Sequence, residues 1–167
     1  DGVWDGVSLA FLHRTGYLPY LGNDSSCVLL ISTSDSRLLL PGDISNAVED
    51  GLIRQYDNLR VNFMLAAHHG SNTSSSSAFL RHFEPELAIV SSAYRNRFGM
   101  PHDEVVDRFQ LQGVNLLNTA DCGGMVFTSK AGQGVSLSTA FRLNHRQIWR
   151  APNTCKIAGL GALRGQN

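Results

Sequence analysis

The sequence predicts an α/β domain built on a largely buried sheet, and three features carry that expectation. Short apolar runs at residues 27–32, 37–40, 62–67 and 87–90 are too brief for helices and rich in strand formers. Between them lie stretches of helical spacing about 8–12 residues long, the plainest placing Val48, Leu52 and Tyr56 on one face. Polar residues that can do chemistry gather just after the strands, where open α/β sheets keep their active sites.

Taken in order, residues 7–12 alternate like a strand and end at His13, and a loop rich in Gly, Pro and Asn follows to residue 26. Residues 27–32 and 37–40, joined by Thr33-Ser34-Asp35-Ser36, read as a β-hairpin. Its second strand stops at Pro41-Gly42-Asp43, and Ser45 is placed to cap the first helix. The strand at 62–67 delivers His68-His69-Gly70. A second helix is expected from about Ser75 to Phe83, with Phe79, Leu80 and Phe83 inward and Pro85 beyond its end. The run at 87–90 opens onto a polar loop, 91–99. Pro101 then marks the start of a third helix, with Asp103 and Glu104 in the first turn, Val105, Val106 and Phe109 inward, and Gly113 closing it. Residues 114–117, 124–128 and 135–139 complete the pattern as strands. Residues 1–144 are expected to form the domain. From His145 the periodicity fades, and 145–167 is expected to be a loosely ordered tail.

A chain of 167 residues with 43% hydrophobic and 17% charged residues can bury one real core. The formal net charge is zero, so no global basic field collects nucleic acid. No apolar run reaches the ~18–20 residues of a membrane span, and with no charged n-region before an apolar h-region no signal peptide is expected in these residues. A start at Asp1 rather than Met reads as an excised or incomplete segment. Cys27, Cys122 and Cys155 are odd in number and form no C-x-x-C pair, which argues against a zinc knuckle or a disulfide framework. Cys27, opening an apolar run, is expected to be a small buried hydrophobe.

Two adjacent imidazoles at the end of a buried strand are an unusual use of polar side chains, more suited to a metal or phosphate site than to a core. Asp43, His68, His69 and His102 all lie between a strand and a helix. A carboxylate with two or three imidazoles is a mixed oxygen–nitrogen set suited to zinc or manganese. The plainer alternatives stand beside this. Asp43 can be a turn carboxylate capping a helix, His68-His69 an exposed strand end, His102 a helix start and His13 a satisfied strand-end histidine. His82 reads as a surface residue. The serines at 74–77 read as an N-cap with a solvated first turn more readily than as a phosphate nest. Arg95 and Arg97 can meet a phosphate backbone or simply be solvated.

Four segments in order, Asn23-Asp24-Ser25-Ser26-Cys27-Val28-Leu29-Leu30, Leu38-Leu39-Leu40-Pro41-Gly42-Asp43-Ile44, His68-His69-Gly70-Ser71 and Asn96-Arg97-Phe98-Gly99-Met100-Pro101-His102, resemble the C-terminal metallo-β-lactamase-like domain of the ComEC family, which forms the DNA-uptake channel of natural transformation. The resemblance runs from about Trp4 to about Thr128. It implies the C-terminal half of an αββα sandwich, a mixed sheet with helices on one face that leaves apolar surface where the other half belongs. It makes Asp43 the metal-bridging aspartate, His69 a terminal ligand and His13 a further ligand. His68 and His102 become catalytic or substrate-facing, and Ser71 and Asn96 contact substrate or phosphate. It implies up to two zinc or manganese ions and hydrolysis of a phosphodiester, in which a metal lowers the pKa of bound water to about 7. The expected partners are single-stranded DNA and the membrane channel domain of the same parent protein, with this domain on the outer side of the cytoplasmic membrane.

Three departures matter. Met100 stands where the family commonly has a histidine, and Arg14 where a proline follows the histidine. The early His-x-His-x-Asp-His cluster that the fold needs, or its serine-led variant, occurs nowhere in residues 1–167, so the resemblance places it upstream of Asp1. The alternatives are an inactive fragment or binding module, and a hydrolase of small phosphoesters on the same fold.

Overall fold

Strand residues buried on both faces need apolar side chains at every position, and Phe63-Met64-Leu65 and Leu87-Ala88-Ile89-Val90 supply them at the centre of the sheet. The computed structural model describes residues 1–13, 22–130 and 134–144, together with Cys155. Within it the strands β1 (Gly2–Trp4), β2 (Val7–His13), β3 (Val28–Ser32), β4 (Arg37–Leu40), β5 (Phe63–Leu65), β6 (Leu87–Val90) and β7 (Asn115–Asn118) form one seven-stranded sheet in sequence order. The first four pair antiparallel, and β4 to β7 pair parallel. The helices α1 (Asn46–Gln55), α2 (Ser77–Phe83) and α3 (Asp103–Leu111) are the three parallel crossovers. Crossovers that all advance one strand in the same direction, with the same hand, place their helices on one face.

The side chains divide accordingly. Leu39, Met64, Ala88 and Val90 point to the helical face and pack with Leu52, Phe79, Leu80, Phe83, Val105 and Phe109. The alternate residues Phe63, Leu87, Ile89 and Leu117 point the other way, onto a separate hairpin of β8 (Met125–Lys130) and β9 (Gly134–Ala140). Phe63 meets Phe127 edge to face, with ring centroids 4.8 Å apart. The α/β class, the mixed sheet and the helices on one face therefore agree with expectation. The one-turn helices α4 (Thr119–Cys122) and α5 (Phe141–Asn144) instead lie with the hairpin, through Cys122 and Leu143.

The hairpin covers only the parallel half of that face. Leu9, Ile31 and Leu38 stand in register across β2, β3 and β4, on the same side as Phe63. Beside them Phe11 is 41% exposed and Trp4 is 79% exposed.

Three readings are corrected. Cys122 and Cys155 form a disulfide with an S–S distance of 2.04 Å. A lone pairing across 33 residues leaves no local spacing for a sequence to reveal. Cys27 is exposed rather than buried, because its neighbour Val28 takes the inward position and strand alternation turns Cys27 outward. His82 is half-buried; its Nε2–H donates to the Tyr56 carbonyl and its ring meets Phe83. Apart from Cys155, the 145–167 tail lies outside the described residues, as does most of the 14–26 loop.

Candidate functional site

The carboxyl ends of β4, β5 and β6 carry the polar residues. Asp43 follows β4 through Pro41 and Gly42. Gly42 has φ +64°, and a Cβ on it would lie 2.8 Å from the Ser26 Cβ, so only glycine lets the two loops meet there. Ser26 Oγ accepts the Asp43 amide at 3.1 Å, and Gly42 O accepts the His68 amide at 3.0 Å. β5 ends in the tight turn Ala67–Gly70, where His68 and His69 both adopt left-handed conformations, φ 48° and 54°. Left-handed backbone in residues other than glycine is uncommon and costs about 1 kcal/mol or more, and such strain collects at functional sites.

The hydrogen bonds distinguish the imidazoles. His69 Nδ1 lies 2.8 Å from the Ser91 carbonyl. A carbonyl only accepts, so Nδ1 carries a proton. That Nε2 lies 3.6 Å from Asp43 Oδ1. Metal-ligating histidines share one part of this arrangement, a ring N–H donated to a backbone carbonyl that fixes the ring. His68 Nε2 accepts from the Asn23 side-chain amide at 3.0 Å, and His102 Nδ1 accepts from the Asn72 backbone amide at 3.0 Å. His13 turns elsewhere, its Nε2–H donating to Asp24 O at 3.0 Å. Asp43 and His69 are thus brought together, with His68 adjoining and His102 tied to the same turn through its amide on Gly70 O.

Ser71 is buried and shares a hydroxyl contact with Thr73 at 3.1 Å. Asn96 spends its side chain on its own loop: Oδ1 accepts the Phe98 and Met100 amides, and Nδ2 donates to Ala93 O and Met100 O.

Residues that sequence reading passed over hold this surface in place. Asp24 accepts from the backbone amide and hydroxyl of Ser45 at 2.8 and 3.0 Å. Ser45 therefore starts α1 without its own side chain capping the helix. Glu49 is fully buried, and its two carboxylate oxygens accept the Ser75 and Ser76 amides at 2.5 and 2.9 Å. Arg108 donates to the carbonyls of Ser74 and Ser75 at 2.8 and 3.1 Å and to Asn72. Ser74 and Ser75 are buried, not solvated: the Ser74 hydroxyl donates to Ile44 O and Ser75 Oγ accepts the Ala67 amide, while Ser76 caps α2. A Glu three residues before Leu52, on the inward face of α1, is the signal that would have found Glu49.

Zinc takes three or four protein ligands. Among the described residues no three His, Cys, Asp or Glu side chains come together to hold a metal. The Asp43–His69 pair supplies two donors, so these residues do not make a complete metal site by themselves.

Also among the described residues, no helix is long and apolar enough to cross a membrane. No family model matches the chain. It is 38% identical over 125 residues to Competence protein ComA of Neisseria gonorrhoeae, covering 74% of this chain and 18% of that protein. It is 31% identical over 123 residues to Recombination protein 2 of Haemophilus influenzae, covering 74% of this chain and 15% of that one. ComE operon protein 3 of Bacillus subtilis is 29% identical over 112 residues, covering 67% of this chain and 14% of its own length. The chain spans less than a fifth of the length of these curated relatives, and is a relative of one segment of the competence proteins.

Proposed function

We propose that this chain is the later part of a metal-dependent phosphodiesterase domain of the metallo-β-lactamase type, acting on DNA in a DNA-uptake protein. The observation that carries the reading is Asp43 Oδ1 facing His69 Nε2 across 3.6 Å, on neighbouring parallel strand ends, with His69 Nδ1 committed to the Ser91 carbonyl. In this reading those two are metal ligands, His68 and His102 line the substrate side, Ser71 holds the histidine turn, and Asn96 shapes the adjoining loop. His13, bonded to Asp24 O, is the weakest member of the proposed set. The remaining ligands belong to residues of the parent protein outside this chain. Its apolar face around Trp4 and Phe11 is where the other half of an αββα sandwich docks.

The disulfide bears on location. Disulfides persist in oxidising compartments and are rare in the cytosol, so Cys122–Cys155 favours placing this domain on the outer side of the cytoplasmic membrane.

The test is cleavage of single-stranded DNA by the full parent protein with zinc or manganese added. Asp43→Ala is expected to abolish it, and retained cleavage would remove Asp43 from the site. For the isolated chain, calorimetric titration is expected to show at most one weakly bound divalent ion. Tight uptake of two would mean that the ligands here suffice. One rival is a binding module without catalysis, which Met100 in place of the histidine usual in the resembled family favours. Metal-independent DNA binding with no cleavage in the full parent protein would establish it.

A further inference from the structure

The loop joining β6 to α3 leaves the candidate site directly: Ser91 O is the acceptor for His69 Nδ1–H. Its base is riveted. Ser92 exchanges backbone bonds with the Thr119 hydroxyl at 2.9 Å in both directions, and its own hydroxyl donates to Asn118 at 2.8 Å. Its tip is cross-braced by the Asn96 side chain. This firm loop nevertheless presents two large aromatic side chains to solvent, Tyr94 at 52% and Phe98 at 58% exposure. Guanidinium groups accompany both: Arg97 lies 4.7 Å from the Phe98 ring centroid, and Arg95 and Arg142 lie 5.3 and 5.8 Å from that of Tyr94. Residues 87–102 contain no Asp or Glu. On a chain of zero net charge, this is a local cationic and aromatic surface.

Rings held at the surface with interleaved arginines are what single-stranded nucleic acid requires. Unstacked bases find planar partners in the rings and guanidinium planes, and phosphates find cations. A duplex, whose base faces are stacked internally, gains only the charge. We propose that Tyr94 and Phe98, with Arg95, Arg97 and Arg142, form a platform that binds single-stranded DNA and leads it toward Asp43 and His69. The choice of DNA as the nucleic acid rests on the DNA-uptake reading above; the platform itself needs neither metal nor cleavage.

The experiment is fluorescence anisotropy of a labelled thymidine oligomer with the full chain in EDTA, beside an abasic oligomer of equal length and a duplex. The thymidine oligomer is expected to bind more tightly than either. Phe98→Ala and Tyr94→Ala are each expected to weaken it roughly tenfold, leaving the abasic strand unchanged, because a stacked base contributes by that order. Phe98→Trp should retain binding. Arg97→Gln should weaken both single strands and lower the salt slope by about 0.7. The proposal is overturned if thymidine and abasic strands bind alike, if the duplex or anionic vesicles bind better, if oligouridine is preferred, or if none binds. Binding that depends on Tyr94 and Phe98 without metal-dependent cleavage by the parent protein would sink the nuclease reading alone. Cleavage indifferent to both rings would overturn the leading of the strand toward Asp43 and His69 and leave the nuclease reading standing.

Discussion

Replacing Glu49 by alanine is expected to destabilise the protein by about 4 kcal/mol, read by urea denaturation. Its carboxylate is wholly inside the protein and is the acceptor for the Ser75 and Ser76 amides at the start of α2. Each buried amide left without a partner costs about 1–3 kcal/mol, and the vacated side-chain volume adds a cavity term. The neighbouring Asp50 is exposed, and Asp50→Ala should change stability by no more than about 0.5 kcal/mol. Equal and small effects at the two positions would mean that Glu49 does not anchor this segment. The consequence reaches the candidate site, since Ser75 Oγ accepts the amide of Ala67, the residue before the two histidines.

The same residue makes a pH prediction of defined sign. Burial pushes the Glu49 carboxyl above its ordinary range, outweighing the hydrogen bonds from Ser76 and Ser75 and the field of Arg108, which favour the charged form. The folded state therefore holds this proton more tightly than the unfolded state. Stability contributed here is fully present below the unfolded carboxylate pKa, and is lost as pH rises toward the raised folded value. Glu49→Gln has no proton to lose. Its stability deficit relative to the natural chain should narrow as pH rises through that window, and a deficit that widens would reverse the assignment.

Periodicity made much of this fold legible. β6 is a run of four apolar residues and all four are buried; α2 and α3 start within two residues of the expected positions because serine, proline and first-turn acids mark them. What stayed hidden was long-range. Asp24 reaching Ser45, Asn23 reaching His68 and Arg108 reaching Ser74 each join segments 21 to 45 residues apart, and a polar side chain carries no periodic sign of its partner. The Cys122–Cys155 bond was missed for the same reason. At the candidate site, sequence order alone set Asp43 and the histidines at strand ends. The different hydrogen-bond partners of the adjacent imidazoles, the Ser91 carbonyl and the Asn23 amide, come from distant loops and carry no local sign in the sequence.

Gly70→Ala should be nearly as costly as the loss of Glu49, for a steric reason that a paired control can isolate. Gly70 has φ +80°, and a Cβ there would lie 2.6 Å from Pro101 Cβ and 2.9 Å from Pro101 Cα. The second contact is with backbone, so no rotamer change relieves it. Gly113 has a similar φ, +71°, but open space around the same position. Gly113→Ala should therefore cost only the conformational part, about 1 kcal/mol, while Gly70→Ala adds an overpacking cost for a total of about 3 kcal/mol. In a chain of this size that total lowers Tm by about 6–12 °C. Relief comes by moving Pro101 and the Gly70 turn apart, and His102, covalently next to Pro101, moves with it against its own amide bond to Gly70 O. The Gly70 variant should thus lose the bond between His102 Nδ1 and the Asn72 amide, visible as a shift of the His102 ring resonances by NMR, whereas the Gly113 variant keeps it. Equal Tm losses in the two variants, with the His102 resonances unmoved in both, would show that the contact between the histidine turn and Pro101 is not what fixes the start of α3.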